Sequence, residues 1–169
     1  MYEVVYPGQP YPLGATWTKS NGFRGQPTLM GDRFLERNES ADYRGIEWLK
    51  QNAVGRPVVV EAVGGSYTEH TRVATFSGLP TIIGWVGHEA QWRGDHPEYG
   101  PRQQAVDTIY RSDNHEEIMR ILRQYRVQYV FFGSLERAKY GGDAQARLDR
   151  HLTAVYSRSG TTIYMVEPE

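Results

Sequence analysis

The amino-acid sequence predicts an α/β domain built on a three-layer, mostly parallel, Rossmann-like sheet. Short apolar runs that are rich in β-branched or aromatic residues and flanked by Gly or Pro are typical of buried strands. The sequence contains three such runs: Val58–Val63, Leu79–Trp85 and Val127–Phe132. Segments with apolar residues at helical spacing separate them and predict helices that cover the sheet. The third run is almost continuously apolar, which predicts a central strand.

The helix predictions depend on apolar residues that recur every three or four positions. The first predicted helix covers Ala41–Asn52, because Ser40 can cap its N-terminus while Gly55 and Pro57 end it. The pattern of Thr71–Phe76 fits a helical turn or a short strand and does not decide between them. A single helical turn is predicted at His88–Arg93, and longer helices are predicted over Arg102–Arg111, His115–Tyr125, Leu135–Tyr140 and a stretch from Asp143 to about Arg150.

The two ends of the chain are predicted to extend the domain in different ways. Leu152–Tyr156 and Thr161–Val166 predict a C-terminal edge hairpin around residues 157–160. Residues 1–39 are rich in Pro and Gly, which disfavour a long helix, so we expect an extended N-terminal arm with a short strand at Glu3–Tyr6. This arm would either cover the single domain of residues 40–169 or form part of a binding site.

Composition narrows the classes of function. The formal net charge of −1 argues against a protein that binds nucleic acid through bulk charge. The sequence has no cysteine, which excludes disulfides, thiol nucleophiles and Cys-ligated metals. No stretch approaches the ~18 consecutive apolar residues of a membrane-spanning helix, and the N-terminus does not match a signal peptide. Twelve Tyr and four Trp exceed what a core of this size needs, so we expect some of them in a surface cleft.

Polar and aromatic side chains follow the first two predicted strands. In open α/β sheets, binding crevices lie at such strand ends. Flat aromatic faces suit sugar rings, while Glu, His and Arg bind hydroxyl or phosphate groups. The predicted substrate-binding residues are Tyr67, His70, Trp85, His88, Glu89, Trp92 and Arg93. The sequence assigns no catalytic residue, no metal site and no cofactor.

Motifs for cofactor and metal chemistry are incomplete. Gly64 and Gly65 follow a predicted strand, but they do not form the G-x-G-x-x-G pattern of dinucleotide sites. His88–Glu89 begins like the H-E-x-x-H zinc motif, but Trp92 stands where the second His is required. A looser metal set remains an alternative, built from His70, His88, Glu89, Asp95 and His96.

Glu61 is unusual because it lies inside an apolar run. If it is buried it needs a cationic partner, for which Arg72 and Arg93 are the candidates. We favour this ion pair over a catalytic pair of Glu61 with Glu89, since the sequence does not give the separation that two catalytic carboxylates require.

Longer segments of the sequence resemble a known family. They are ADYRGIEWL at Ala41–Leu49, VVVEAVGGSYTEHTRVATFSGLPTIIGWVGHEAQWRG at residues 58–94, DTIY at Asp107–Tyr110 and YVFFGSLERAKY at residues 129–140. Together they resemble the C-terminal part of the YYY family, which are large polytopic bacterial and archaeal membrane proteins of unassigned function. The resemblance covers about Gly14 to Tyr140, and its most specific motif is the GWxGHExQWRG-like run.

The resemblance implies that membrane-spanning segments lie N-terminal to this chain, and that Met1 begins an excised domain. The family layout is similar to that of membrane glycosyltransferases that use lipid-phosphate-linked sugars. It therefore implies an extracytoplasmic soluble domain, inactive by itself, that packs on its own membrane segment and recognises a sugar or a lipid-phosphate-linked substrate, with no nucleic acid involved. The alternatives are a metal-assisted hydrolase built on His88 and Glu89, and a purely structural docking domain.

Overall fold

The computed structural model describes residues 16–18, 22–24, 40–94 and 97–167. Strands β1 (Thr16–Thr18) and β2 (Gly22–Arg24) form a separate antiparallel pair. The main sheet contains β3 (Val58–Val60), β4 (Val127–Phe132), β5 (Thr153–Arg158) and β6 (Thr161–Met165), in the order β3-β4-β6-β5. The prediction that residues 127–132 form an inner strand is confirmed, because β4 lies between β3 and β6.

The α/β class is confirmed, but the prediction of a mostly parallel, Rossmann-like sheet is wrong. Only β3 and β4 pair in parallel, whereas β4 with β6 and β6 with β5 pair antiparallel. The reason is the C-terminal hairpin, whose turn residues Ser159 and Gly160 both have positive φ angles, 53° and 89°. Two-residue turns of this kind match the twist of antiparallel strands. The hairpin places β5 at the edge and gives β4 an antiparallel neighbour.

Seven helices are found among the described residues. They are α1 (Ser40–Asn52), α2 (Arg72–Ser77), α3 (Val86–Arg93), α4 (Tyr99–Arg111), α5 (His115–Gln124), α6 (Ser134–Tyr140) and α7 (Asp143–His151). The undecided segment at residues 71–76 is therefore helical, and the single turn expected at residues 88–93 is a helix of eight residues. The Asn114 side chain accepts a hydrogen bond from Glu117 N at 3.1 Å, which caps the N-terminus of α5.

Helices cover both faces of the main sheet, which gives the predicted three layers. On one face, Ile46 and Leu49 of α1 pack in a cluster with Val59, Phe131 and Ile163. On the other face, the next residue along each strand joins a larger cluster with α4, α5 and α7: Val60, Val130, Phe132 and Tyr164. Successive side chains of a strand point to opposite faces, so one short sheet supplies both cores.

The prediction of a strand at Leu79–Trp85 is wrong, because none of the described strands lies in this segment. The segment is irregular, with a bend at Ile82, and buries Leu79, Ile82 and Ile83. Pro80 O accepts a hydrogen bond from Val59 N at 2.9 Å. It does not continue as a strand of the main sheet. Proline at position 80 has no N–H to donate to a ladder, which limits pairing. The apolar run therefore reflects burial rather than strand pairing.

Most of the predicted N-terminal arm, including the strand expected at Glu3–Tyr6, lies outside the described residues. Within residues 1–39 the structure describes β1 and β2, a pairing that the sequence analysis did not predict. None of the described helices combines the length and the apolar character that crossing a lipid bilayer requires.

Candidate functional site: an aromatic cleft over a buried ion cluster

A cleft of about 1040 Å³ opens between α2, α3, the start of α4 and the irregular segment 80–85. Its apolar floor includes Ile82 and Ile83, and its rim includes Trp85, His88 and Trp92. Clefts of this size with apolar walls and a few polar groups are typical of small-molecule sites. We call this feature the aromatic cleft.

Four ring systems form a continuous row along one side of the aromatic cleft. Tyr67 lies 5.5 Å from Trp85 and 5.7 Å from His88, measured between ring centroids, and His88 lies 6.1 Å from Trp92. Tyr67 and Trp92 are 73% and 76% exposed, although each has a large apolar face. Exposed aromatic rings that adjoin a cleft are a feature of ligand-binding surfaces.

Hydrogen bonds fix two of these rings. Trp85 Nε1 donates to His70 O at 2.6 Å, which ties the Trp85 indole to the loop before α2. Trp92 Nε1 donates to His88 Nε2 at 2.9 Å. In this bond the indole N–H is the donor and the imidazole nitrogen is the acceptor. This bond sets the orientation of the exposed Trp92 ring at the cleft rim.

The loop that carries Tyr67 is tightly held by close backbone approaches. A Cβ atom on Gly64 would lie under 3.0 Å from the His70 ring, and one on Gly87 would lie 2.6 Å from Ser66 Oγ. Both positions therefore require glycine for close packing. Tyr67 and Thr71 have positive φ angles of 61° and 73°, a conformation that costs such residues about 1–3 kcal/mol and persists only when surrounding contacts enforce it.

Charged side chains at the aromatic cleft are paired. Arg93 Nε lies 3.1 Å from Glu89 Oε2, and Arg102 Nη2 lies 2.7 Å from Glu98 Oε2. Arg102 Nη1 also donates to Ile82 O at 3.1 Å. The described lining therefore offers carboxylates and guanidinium groups in equal number.

Five of the seven predicted site residues line the aromatic cleft: Trp85, His88, Glu89, Trp92 and Arg93. Tyr67 lies beside the cleft through its ring contacts with Trp85 and His88. His70 is not among the lining residues. Its ring packs over Gly64, and its Nδ1 lies 3.0 Å from Thr68 Oγ1. The sequence analysis missed Glu98, Tyr99 and Arg102, which reach the cleft from α4 and its N-cap.

A buried ion cluster lies behind the wall of the cleft that α2 forms. Arg72 is 3% exposed and pairs with three buried carboxylates: Asp42 at 2.7 Å, Glu136 at 2.8 Å and Glu61 at 3.7 Å. The predicted partnership of Glu61 with Arg72 is therefore found, whereas Arg93 pairs with Glu89. Asp42 and Glu136 were not predicted as members.

Each carboxylate of this cluster also holds backbone or hydroxyl groups. Glu61 accepts hydrogen bonds from Val73 N at 2.9 Å and Ala74 N at 2.7 Å, at the first turn of α2. A carboxylate at a helix N-terminus satisfies otherwise unpaired N–H groups and interacts favourably with the helix dipole. Since Thr71, Ala74 and Thr75 line the aromatic cleft, Glu61 and Arg72 position one wall of the cleft from behind.

The cluster shifts the pKa values of its members in opposite directions. Burial raises the pKa of Glu61 from its usual 4.5 to about 7, against the opposing effects of Arg72 and the two α2 N–H groups. Burial would also raise the pKa of Asp42, but the Arg72 guanidinium and the Ser134 and Thr161 hydroxyls lower it below 3.8. One guanidinium cannot neutralise three buried carboxylates, so protonation of Glu61 is the easiest way to reduce the excess negative charge.

We predict that Glu61 makes the domain less stable as the pH rises from 4.5 to 7. The folded state holds the Glu61 proton more tightly than the unfolded chain, so its stabilising contribution is complete below pH 4.5 and is lost as the pH approaches 7. Linkage puts the total at roughly 3 kcal/mol. The measurement is urea unfolding of the original protein and Glu61→Gln at a series of pH values.

Comparison with Glu61→Gln is needed because His70 and His151 act in the opposite sense. Burial lowers the pKa of both imidazoles below 6.5, so their contribution is lost as the pH falls below that value. Both histidines are present in the variant, and their effect cancels in the difference. Unfolding free energies that stay parallel from pH 4.5 to 7 would contradict the prediction.

The described residues contain no group of three His, Asp or Glu side chains placed to hold a metal ion. His70 and His88 face different partners, and Glu89 is engaged with Arg93. The remaining members of the alternative metal set, Asp95 and His96, lie outside the described residues.

Comparison with known proteins adds limited information. No family model matches the sequence, and no curated protein matches it. The C-terminal globular domain of an oligosaccharyltransferase from Archaeoglobus fulgidus is a structural neighbour, with 11% sequence identity and a TM-score of 0.48. The match covers 75% of this chain and 97% of that domain. A similarity this weak assigns no ligand and no reaction, so the resemblance to the YYY family depends on the sequence motifs alone.

Proposed function

We propose that this domain binds a saccharide, or the saccharide part of a lipid-phosphate-linked substrate, in the aromatic cleft. The observation that carries the proposal is the row of Tyr67, Trp85, His88 and Trp92 beside an open cleft, with both end rings largely exposed. Sugar rings present patches of C–H bonds that pack on aromatic faces, and their hydroxyl groups hydrogen-bond to carboxylate and guanidinium groups. Glu89, Glu98 and Arg102 supply such groups along the same cleft.

The finer part of the proposal concerns the whole protein. We propose that the domain is the extracytoplasmic part of a multi-span, glycosyltransferase-like membrane protein, and that it contributes recognition rather than catalysis. This part is supported by the motif resemblance to the YYY family. The reading frame upstream of Met1 tests it directly, because a series of apolar segments of about 20 residues would support it and a coding sequence that starts at Met1 would refute it.

Replacement of Trp92 by alanine is predicted to weaken saccharide binding by about two- to tenfold, the loss expected for one aromatic contact. The measurement is isothermal titration with defined oligosaccharides of glucose, mannose and N-acetylglucosamine, together with tryptophan fluorescence. Trp92→Phe keeps an aromatic face while losing the hydrogen bond to His88, so it should retain most of the affinity.

Val54→Ala is the matched control for this titration, because Val54 is 91% exposed and does not line the aromatic cleft. It should bind like the original protein. Equal affinities of the original protein and Trp92→Ala would remove Trp92 from the site. Failure of every oligosaccharide to bind would count against the saccharide proposal itself.

A further inference from the structure

We infer that the aromatic cleft takes an uncharged sugar unit and leaves any phosphate group outside. This inference builds on the proposed saccharide function and narrows its substrate class. It concerns the chemistry of the cleft lining, where the sequence alone left sugar and phosphate as equal possibilities.

The described lining of the aromatic cleft carries no excess of positive charge. Among the described residues that line the cleft, the two arginines are each matched by a carboxylate, Glu89 for Arg93 and Glu98 for Arg102. A phosphate that entered would gain two cations but would also meet two anions at similar positions. Phosphate sites in proteins instead collect an excess of positive charge or several backbone N–H groups.

Arg102 already donates hydrogen bonds from all three of its guanidinium nitrogens. Its Nη2 and Nε donate to Glu98 Oε2 at 2.7 and 3.2 Å, and its Nη1 donates to Ile82 O at 3.1 Å. Three of its donor atoms are therefore committed to partners of the protein itself. The guanidinium carries two further N–H groups, but a phosphate that used them would lie beside the Glu98 carboxylate, whereas a sugar hydroxyl can donate to that carboxylate.

Arg93 lies largely in solvent. Its side chain is 73% exposed, so its charge lies in a largely aqueous environment and is screened. Its Nε is paired with Glu89 at the mouth of the cleft. A phosphate near Arg93 would therefore gain little net attraction from it.

The lining of the aromatic cleft also offers groups that bind an uncharged sugar ring. Glu89 and Glu98 accept hydrogen bonds from hydroxyl groups, and the aromatic row offers apolar faces. Tyr99 donates its hydroxyl to Glu89 O at 3.0 Å and to Gly94 O at 3.1 Å, which fixes the C-terminal half of α3 against α4. The backbone that carries Glu89 is thereby anchored to the start of α4 before a ligand arrives.

The test is a paired titration of the purified domain with a free sugar and with its 1-phosphate, at low and high salt. The probes are oligomers of glucose, mannose and N-acetylglucosamine, each compared with the 1-phosphate of the same oligomer. The expected result is that the neutral sugar binds at least as tightly as its phosphate and that its affinity changes little with salt. Tighter binding of the phosphate, with an affinity that falls as salt increases, would overturn this inference while leaving the saccharide function in place.

Charge variants make the test sharper. Glu89→Gln and Glu98→Gln should each raise the affinity for the sugar 1-phosphate, relative to the neutral sugar, by about fivefold, because each leaves one arginine of the cleft without its matching carboxylate and so lets the phosphate bind there. Glu47→Gln is the control, since Glu47 pairs with Lys50 on α1 and does not line the cleft. An unchanged ratio in both cleft variants would contradict the inference. Binding of neither sugar nor phosphate would refute the proposed function, a result that differs from both other outcomes.

Discussion

Replacement of Arg72 by methionine is expected to lower the free energy of unfolding by about 3–5 kcal/mol. The substitution leaves Asp42, Glu61 and Glu136 buried without a cation, and unpaired buried charges are among the most destabilising changes known. Domains of this size are stable by only about 5–15 kcal/mol, so the loss takes a large share of the total. Chemical unfolding in urea at pH 7.5, followed by circular dichroism, measures it.

Arg93→Met is the matched control because Arg93 makes an exposed ion pair with Glu89. Pairs of this kind contribute about 0–1 kcal/mol, so this variant should unfold close to the original protein. If Arg72→Met is no less stable than Arg93→Met, the ion pairs of the buried cluster do not stabilise the fold.

A pH series identifies the electrostatic origin of the Arg72 effect. The guanidinium lowers the pKa of Asp42 and opposes the rise in the pKa of Glu61, so without it both groups should take up protons in the folded state at higher pH than in the original protein. The stability deficit of Arg72→Met should therefore shrink as the pH is lowered from 7.5 toward 5. A deficit that stays constant with pH would instead indicate lost packing of the Arg72 guanidinium on the Phe131 ring, whose centroid lies 5.4 Å from the guanidinium carbon.

Only two of the four residues of the buried cluster, Glu61 and Arg72, could be predicted as partners from the sequence. Glu61 was identifiable because an acid inside an apolar run needs a partner, and Arg72 lies only 11 positions away. Asp42 lies in the first turn of α1, where an acid is favourable without any distant partner. Glu136 carried no signal, since it lies on a short helix 64 residues from Arg72. Local patterns contain no information about which distant polar residues meet in a core, so half of the cluster was invisible.

The aromatic cleft was predicted better than the sheet that supports it. Trp85, His88, Glu89, Trp92 and Arg93 lie within nine residues, so a single helix and the segment before it bring them together whatever the sheet topology. Arg102 and Tyr99 come from the next helix, and their approach depends on tertiary packing. Strand direction was also not predictable, because apolar periodicity marks a strand without giving the orientation of its neighbours.

Substitution of Gly133 by alanine is expected to destabilise the domain by several kcal/mol, because it forces an added methyl group into the buried cluster. A Cβ atom at this position would lie under 3.0 Å from Asp42 Oδ1 and from the Phe131 ring. Asp42 cannot move away freely, since it is fully buried and accepts hydrogen bonds from Arg72, Ser134 and Thr161. Overpacking of a dense core typically costs about 1–3 kcal/mol, and disruption of a buried hydrogen-bonded network adds to that cost.

Gly142→Ala is the matched control for Gly133→Ala. Gly142 precedes α7 with helical backbone angles, φ −64° and ψ −30°, and a Cβ atom there would meet nothing within 4 Å. It should change the free energy of unfolding by less than about 0.5 kcal/mol in either direction, or stabilise slightly by restricting the unfolded chain. The steric origin is tested by combining Gly133→Ala with Asp42→Ala. If the clash with Asp42 dominates, the two losses will be strongly non-additive, whereas simple addition of the two would show that Gly133 acts independently of the cluster.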